Sequence, residues 1–111
     1  MSDLLQLVVK TADQHLAEQI EVLDFRGHSA LCDYFVICSA SNERLASSIM
    51  DYVVDEAEKE GYPVRNVEAQ QGSRWILVDL YDVILHIFTP EERALYQLEK
   101  LWGDLPRIEV R

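Results

Sequence analysis

Two ionisable residues, Asp79 and His86, stand in adjacent apolar runs of the chain. The runs are Trp75–Leu80 and Val83–Phe88, and because only two residues separate them we expect a β-hairpin. In that hairpin Asp79 and His86 are diagonal cross-strand neighbours, about 7–8 Å apart at the backbone. A carboxylate beside an imidazole can act as an acid–base pair, but the local spacing places no serine or cysteine nucleophile next to them. We therefore predict a structural Asp–His hydrogen bond and no catalytic residue.

A second candidate for chemistry is the run Cys-Ser-Ala-Ser at 38–41, between a predicted strand and a predicted helix. A helix N-terminus with small residues can hold a phosphate, but neither a P-loop nor a G-x-G-x-x-G is present. The chain has no C-x-x-C, H-x-x-x-H or H-x-H pattern, so no metal ion and no cofactor is predicted. We expect Cys32 and Cys38 to be reduced, with Cys38 buried as a small apolar side chain.

Trp75 is the strongest candidate for a partner-binding residue. Period-two alternation places it on an aromatic hairpin face that consists of Trp75, Leu77, Asp79, Ile84, His86 and Phe88. The opposite face is aliphatic and is predicted to be core; it consists of Ile76, Val78, Leu80, Val83, Leu85 and Ile87. Because tryptophan is common among binding hot spots, the aromatic face is predicted to be a partner surface or a face covered by a helix. A one-residue slip in the hairpin would exchange the two faces.

A helix from Pro90 to Trp102 is predicted directly after the hairpin. Thr89 is expected to be its N-cap, and Glu92 completes a Thr-x-x-Glu capping box. Helical spacing predicts a buried face formed by Leu95, Leu98, Leu101 and Trp102. Gly103 is expected to end the helix.

The rest of the chain is predicted to supply two helices and three strands. One helix, with Ser2 as a possible cap, has an apolar stripe that reaches Leu16; the other begins at Ser41 or Asn42 and ends near Glu60. Strands are predicted at 21–25, 33–38 and 64–67, with the second central and the third at an edge. The expected architecture is an α/β (α+β) fold with a single mixed sheet of about five strands packed with helices. Residues 1–103 are expected to form one domain and residues 104–111 a mobile C-terminal tail.

The charge of the chain favours one kind of partner. Ten basic and twenty acidic residues give a formal net charge of −10 at pH 7. Direct, sequence-specific nucleic-acid binding is disfavoured because such proteins usually present a basic stripe. A basic protein would be attracted, although solubility alone would explain the charge equally well. No run approaches the roughly 20 apolar residues that span a bilayer and no secretory signal is visible, so a cytoplasmic protein without membrane contact is expected.

Three runs of sequence also support a family resemblance: DYFVICSASNERLASSI, GSRWILVDLYDVILHIF and ERALYQLEKLW. In order and spacing they resemble the RsfS/Iojap family of ribosomal silencing factors, from about Leu4 to Trp102. The resemblance implies a fold like that of a nucleotidyltransferase without its catalytic residues, and homodimers in the free state. It also implies binding to the large ribosomal subunit through large-subunit ribosomal protein fourteen. That binding would block joining of the small subunit and repress translation when nutrients are short.

The resemblance also assigns partner-binding residues. The matching positions are Trp75 and Leu80, at the contact with the ribosomal protein, and Asp79, His86 and Tyr96, in the family signature. Tyr81 stands where the family usually has glycine, which would ease the hairpin turn, so Tyr81 is expected to alter the tip near Leu80.

Two alternatives stay open at the level of sequence. One is a small enzyme on a nucleotidyltransferase-like scaffold, which would use the Ser39–Ser41 loop and carboxylates such as Asp33. The other is an acidic dimeric adaptor for a different basic protein.

Overall fold

The computed structural model describes residues 3–27, 30, 32–70, 74–97, 100 and 106–108, and within them it contains three helices and six strands. The helices are α1 (Asp3–Gln14), α2 (Glu43–Lys59) and α3 (Pro90–Tyr96). The strands are β1 (Glu18–Asp24), β2 (Tyr34–Ser39), β3 (Asn66–Gln70), β4 (Trp75–Asp79), β5 (Val83–Phe88) and β6 (Arg107–Ile108). They form one sheet in the order β3-β4-β5-β2-β1-β6.

The sheet is mixed, as the sequence predicts. β2 and β5 run parallel, and the other neighbouring strands run antiparallel. β2 lies inside the sheet and β3 at an edge, which confirms both expected positions. The bounds differ by a few residues, since β3 begins at Asn66 and not at Val64. β6 is an addition to the prediction: within the expected tail, Arg107 pairs with Leu23 of β1.

α1 and α2 pack against one face of the sheet. Their buried side chains are Leu4, Leu5, Val8, Ala12, Ala46, Ile49, Val53 and Ala57. The hairpin contributes Ile76, Val78, Leu80, Val83, Leu85 and Ile87 to the same cluster, which confirms the predicted aliphatic face. Burial of apolar surface is the main favourable term in folding, so this helix-covered face is the core of the protein.

The ends of α2 follow from local sequence. The Asn42 side chain accepts a hydrogen bond from the Leu45 N–H at 2.8 Å, as expected of an N-cap. Gly61 has a φ of 83°, in the left-handed region that glycine adopts without strain. The Tyr62 N–H then bonds the Ala57 carbonyl at 2.9 Å, which completes the last turn of the helix.

α1 is shorter than its apolar stripe suggests. The helix ends at Gln14, and Leu16 is exposed with a φ of 72°. Leu16 therefore lies beyond the helix and does not extend its buried face. Ser2, the expected cap, lies outside the described residues.

α3 also ends earlier than predicted. Gln97 takes a left-handed conformation with a φ of 49°, and its N–H bonds the Arg93 carbonyl at 2.9 Å. Leu95, predicted to be buried, is 70% exposed. The other members of its predicted face, Leu98, Leu101 and Trp102, lie outside the described residues, as does Gly103.

The buried side chains of α3 are Glu92 and Arg93. One Arg93 nitrogen, Nη1, donates to the Gln19 carbonyl at 2.6 Å and to Ser39 Oγ at 2.9 Å, while Nη2 bonds Glu21 at 3.0 Å. A charged group can be buried when its donors are paired in this way. Among the described residues, α3 is therefore anchored by an arginine instead of a leucine face.

The predicted capping box of α3 is not formed. Thr89 is the N-cap and Pro90 follows it, as expected, but Thr89 Oγ1 and Glu92 Oε2 find no hydrogen-bond partner among the described residues. In a capping box, Glu92 would accept from the Thr89 N–H. That N–H already donates to the Arg74 carbonyl at 2.9 Å, so it is not available.

No helix in the described part of the chain has both the length and the apolar character needed to cross a membrane.

Candidate partner-binding surface

The hairpin of β4 and β5 has the predicted register. Trp75 pairs with Phe88 and Leu77 with His86. At the loop, the Leu80 N–H donates to the Val83 carbonyl at 2.9 Å. The two faces are therefore divided as expected, with the aromatic face on the side of the sheet opposite α1 and α2.

Four aromatic residues of this face and of α3 form a continuous cluster, which we call the aromatic surface: Trp75, His86, Phe88 and Tyr96. The Trp75 ring lies 4.5 Å from the Tyr96 ring and 5.0 Å from the Phe88 ring, measured between centroids. Phe88 is fully buried, whereas Trp75 is half-buried and Tyr96 is 38% exposed. The cluster thus offers the Trp75 and Tyr96 rings to solvent over the buried rings of His86 and Phe88.

Trp75 and His86 are joined by a hydrogen bond. The indole Nε1 donates to His86 Nδ1 at 3.2 Å, which places the proton of the neutral imidazole on Nε2. His86 is 4% exposed, and burial lowers its pKa to about 4, so the ring is neutral at pH 7. Nε2 has no hydrogen-bond partner among the described residues.

The predicted hydrogen bond between Asp79 and His86 is wrong. Asp79 instead pairs with Arg65, whose Nη2 lies 2.9 Å from Asp79 Oδ2. Asp79 stands opposite Ile84 and His86 opposite Leu77, so the two side chains are only diagonal neighbours. Each residue has a nearer partner. Asp79 pairs with the permanently charged Arg65 guanidinium, and His86 accepts a hydrogen bond from the Trp75 indole.

Asp79 and Tyr81 belong to a separate place, the hairpin tip, which consists of Asp79, Leu80, Tyr81, Asp82 and the adjoining Arg65. Tyr81 has a φ of 70°, and its N–H bonds Asp79 Oδ1 at 2.9 Å. The Arg65 guanidinium lies 4.7 Å above the Tyr81 ring. These contacts hold a tyrosine in a conformation that normally favours glycine, because a Cβ is strained there.

Leu80 does not offer a surface contact. Its side chain is 1% exposed and belongs to the aliphatic core under α1 and α2. Alternation directs it to the face opposite Trp75, so the structure does not support the expected contact between Leu80 and a partner. Of the six predicted site residues, Trp75, His86 and Tyr96 come together, while Asp79 and Tyr81 lie at the tip.

Sequence reasoning missed two residues that shape these places. Phe35 of β2 packs against His86, with ring centroids 4.7 Å apart, and thereby supports the aromatic surface from the neighbouring strand. Arg65 fixes both Asp79 and Tyr81. The alternation of β2 could have indicated Phe35, whereas Arg65 carries no local signal, since its partner is 14 positions away.

The other residues that the sequence offered for chemistry are Ser39, the two cysteines and the groups that could bind a metal ion. Ser39 Oγ, in the run considered for phosphate binding, accepts a hydrogen bond from Arg93. Burial raises the pKa of Cys32 to about 11 and that of Cys38 to about 12, so both free thiols are protonated at neutral pH. Among the residues that the structure describes, no three His, Cys, Asp or Glu side chains converge as a metal site requires.

Fold and site together define an α+β domain that presents an aromatic surface on one face of its sheet. The family model described as "Ribosomal silencing factor during starvation", RsfS, matches residues 1–111. The chain therefore belongs to the RsfS family.

Individual proteins and structures agree with this assignment. A protein named ribosomal silencing factor RsfS from Halalkalibacterium halodurans is 40% identical over 108 residues, which cover 97% of this chain and 92% of that protein. Another protein of the same name, from Bacillus subtilis, is 40% identical over 107 residues, which cover 96% of this chain and 91% of that protein. A crystal structure of a Bacillus halodurans protein superposes with a TM-score of 0.86 at 38% identity, over 97% of this chain and 98% of the other.

Proposed function

We propose that this protein binds the large ribosomal subunit through large-subunit ribosomal protein fourteen and prevents the small subunit from joining. The observation that supports this most strongly is the aromatic surface: a half-buried tryptophan beside an exposed tyrosine, on a sheet face that α1 and α2 leave uncovered. Tryptophan and tyrosine are enriched among residues that dominate binding energy. The family name assigns the same general role, silencing of the ribosome.

The mechanism on this proposal is steric. The docked protein occupies surface that the small subunit needs, so translation is repressed for as long as it stays bound, as would suit stationary phase or nutrient limitation. Such a role requires slow dissociation and no turnover. The Trp75 side chain is already fixed by His86, Phe88 and Tyr96, so little rotamer freedom is lost when a partner covers it.

The charge of the chain suits this partner. A net charge of −10 attracts a basic ribosomal protein and disfavours independent binding to RNA phosphates. The protein would act in the cytoplasm, where the subunits are. When free, it would form a homodimer, and sedimentation equilibrium would distinguish that dimer of twice 12.8 kDa from a monomer.

The direct test is co-sedimentation with separated large and small subunits, followed by a subunit reassociation assay. We expect the protein to pellet with the large subunit only and to lower the yield of whole ribosomes in proportion to its occupancy. If it pellets with neither subunit, the proposal is wrong. If it pellets with the large subunit while reassociation is unchanged, binding stands but steric blocking does not.

The enzyme alternative has its own test. The protein is titrated with nucleoside triphosphates and magnesium while its thermal midpoint is followed. A concentration-dependent rise in the midpoint, as ligand binding to the native state requires, would favour an enzyme over a silencing factor.

A further inference from the structure

A cavity of about 340 Å³ lies at the hairpin tip, away from the aromatic surface. Three separate segments line it: the start of α1, the segment after α2, and the tip itself. The lining residues are Asp3, Leu4, Tyr62, Pro63, Leu80, Tyr81 and Asp82. The cavity therefore combines an apolar lining with tyrosine rings and two carboxylates.

The two carboxylates are available for a partner. Asp3 and Asp82 are exposed, and neither side chain forms a hydrogen bond or ion pair with the described part of the chain. No lysine or arginine in that part lines the cavity to neutralise them. Two negative groups within a partly apolar cavity favour a cation whose non-polar portion can be buried at the same time.

The hairpin tip already binds one arginine side chain of its own. Arg65 bonds both oxygens of Asp79, with Nε to Oδ2 at 3.0 Å and Nη2 to Oδ1 at 3.3 Å, and its guanidinium lies over the Tyr81 ring. A planar guanidinium can pair with a carboxylate and stack on an aromatic ring simultaneously, which an ammonium cannot do as well. The cavity offers the same two components a second time, from the Asp3 and Asp82 carboxylates with the Tyr62 ring.

We propose that this cavity accepts an arginine side chain from a basic protein partner. The guanidinium pairs with Asp82 and Asp3, and the aliphatic stem packs against Tyr62 and Pro63. The net charge of −10 directs such a partner toward the protein. This inference goes beyond the proposed function, because it assigns a second contact site that does not include Trp75 or its neighbours.

The test uses the full chain labelled with ¹⁵N and titrated with N-acetyl-arginine amide. We expect saturable shifts of the amide resonances of Leu4, Tyr62, Tyr81 and Asp82. N-acetyl-citrulline amide has nearly the same shape without the charge, and it should cause no saturable shift. N-acetyl-lysine amide should bind more weakly than the arginine probe.

A pair of variants locates the binding. Asp3→Asn with Asp82→Asn should weaken binding of the arginine probe about fivefold, as expected for partly exposed ion pairs. Asp51→Asn with Asp55→Asn, on the exposed face of α2, changes the net charge equally and should leave the affinity unchanged. Thermal unfolding of each variant confirms that it is folded.

Several outcomes would overturn the inference: no saturable shift, equal binding of the citrulline probe, or equal weakening by both pairs of substitutions. Equal affinity for the lysine probe would overturn the assignment of arginine. The titration contains no ribosomes, so its result does not depend on the sedimentation experiment. If the protein pellets with large subunits but does not bind the arginine probe, the proposed function stands and this inference is wrong.

Discussion

Trp75 is the residue on which the proposed function depends. Its indole N–H is paired with His86, and its ring packs against Phe88 and Tyr96, yet part of the side chain stays accessible. A large side chain that is held in place before binding loses little entropy when a partner covers it. These properties are the ones expected of a central anchor in an interface.

Replacement of this anchor should affect binding more than folding. Trp75→Ala should weaken binding to the large subunit by about 2 kcal/mol or more, roughly 30-fold, because the ring supplies the centre of the contact. The measurement is co-sedimentation across a range of protein concentrations, with circular dichroism to confirm the fold. Tyr52→Ala is the matched control, since Tyr52 is an exposed aromatic residue of α2, 45% accessible and away from the aromatic surface. An unchanged affinity in Trp75→Ala, or equal losses in both variants, would remove Trp75 from the interface.

His86 should make the stability of the protein depend on pH. Burial lowers its pKa in the folded state from 6.5 to about 4, so the unfolded chain takes up a proton first as the pH falls. The stability from keeping His86 neutral is complete above pH 6.5 and is lost between there and pH 4, by a total of about 3 kcal/mol.

Chemical denaturation of the native protein and of His86→Leu at several pH values measures this effect. The two proteins share every other ionisable group, so the difference between the two curves isolates the histidine. We expect the free energy of unfolding to fall more steeply in the native protein from pH 6.5 to pH 4. Parallel curves would contradict a neutral, buried His86.

At the scale of elements, the hairpin shows how a loop of two residues can tolerate an unfavourable side chain. Tyr81 has a φ of 70°, and its strain is offset by the bond to Asp79 and by the Arg65 guanidinium over its ring. The turn therefore depends on β3 as well as on its own sequence, because Arg65 immediately precedes that strand.

This strain predicts an unusual order of stability. Tyr81→Gly should be more stable than Tyr81→Ala by about 1 kcal/mol, because both lose the ring contact but only alanine keeps the strained Cβ. Thermal or urea unfolding of the two variants gives the difference. At Asp82, which does not have a positive φ, alanine should equal or exceed glycine in stability. Alanine equal to or above glycine at both positions would contradict the strained conformation of Tyr81.

The two predicted helix caps had different outcomes for a physical reason. Asn42 bonds an N–H of its own helix, a local contact that spacing alone indicates. At α3, the Thr89 N–H is already bonded to Arg74, so the capping box cannot close. Sequence spacing predicts only the hydrogen bonds that a helix end can form within itself. It does not reveal a competing acceptor from another segment, which here is the Arg74 carbonyl.

At the scale of the whole molecule, Glu21 connects three elements. Its carboxylate pairs with Arg93 of α3 at 3.0 Å and with Arg107 of β6 at 3.3 Å. Glu21 itself lies in β1, so these two ion pairs connect α3 and β6 to the β1 edge of the sheet. The Arg93 side chain is almost completely buried in this ion pair. Pairing with Glu21 avoids the free-energy cost of burying an uncompensated charge.

The overall charge should control the rate of association, whereas the aromatic surface should control dissociation. Raising the ionic strength from about 0.1 M to 1 M shortens the Debye length from about 10 Å to about 3 Å. We expect association with purified ribosomal protein fourteen to slow about tenfold over that range, while Trp75→Ala mainly accelerates dissociation. Binding kinetics on immobilised ribosomal protein measure both rates, with an unrelated basic protein as control. Equal affinity for that control would favour the general acidic adaptor.

The sequence alone determined the features that depend on short-range periodicity. Alternation and a two-residue loop correctly predicted the register from Trp75–Phe88 to Leu77–His86, and with it the aliphatic and aromatic faces. Local capping predicted both ends of α2, and the apolar character of β2 predicted its interior position. Three runs of sequence, in their order and spacing, also predicted the family to which the chain belongs.

Only the tertiary structure decided which side chains become partners. Asp79 bonds Arg65 across the β3–β4 edge, Trp75 bonds His86, and Arg93 reaches Glu21, 72 positions earlier in the chain. It also placed Leu80 in the core and ended α3 at Tyr96. These outcomes follow from the strand order, which brings together donors and acceptors that are distant in sequence. Each side chain then bonds the nearest well-placed partner, which differs from the one that local spacing predicts.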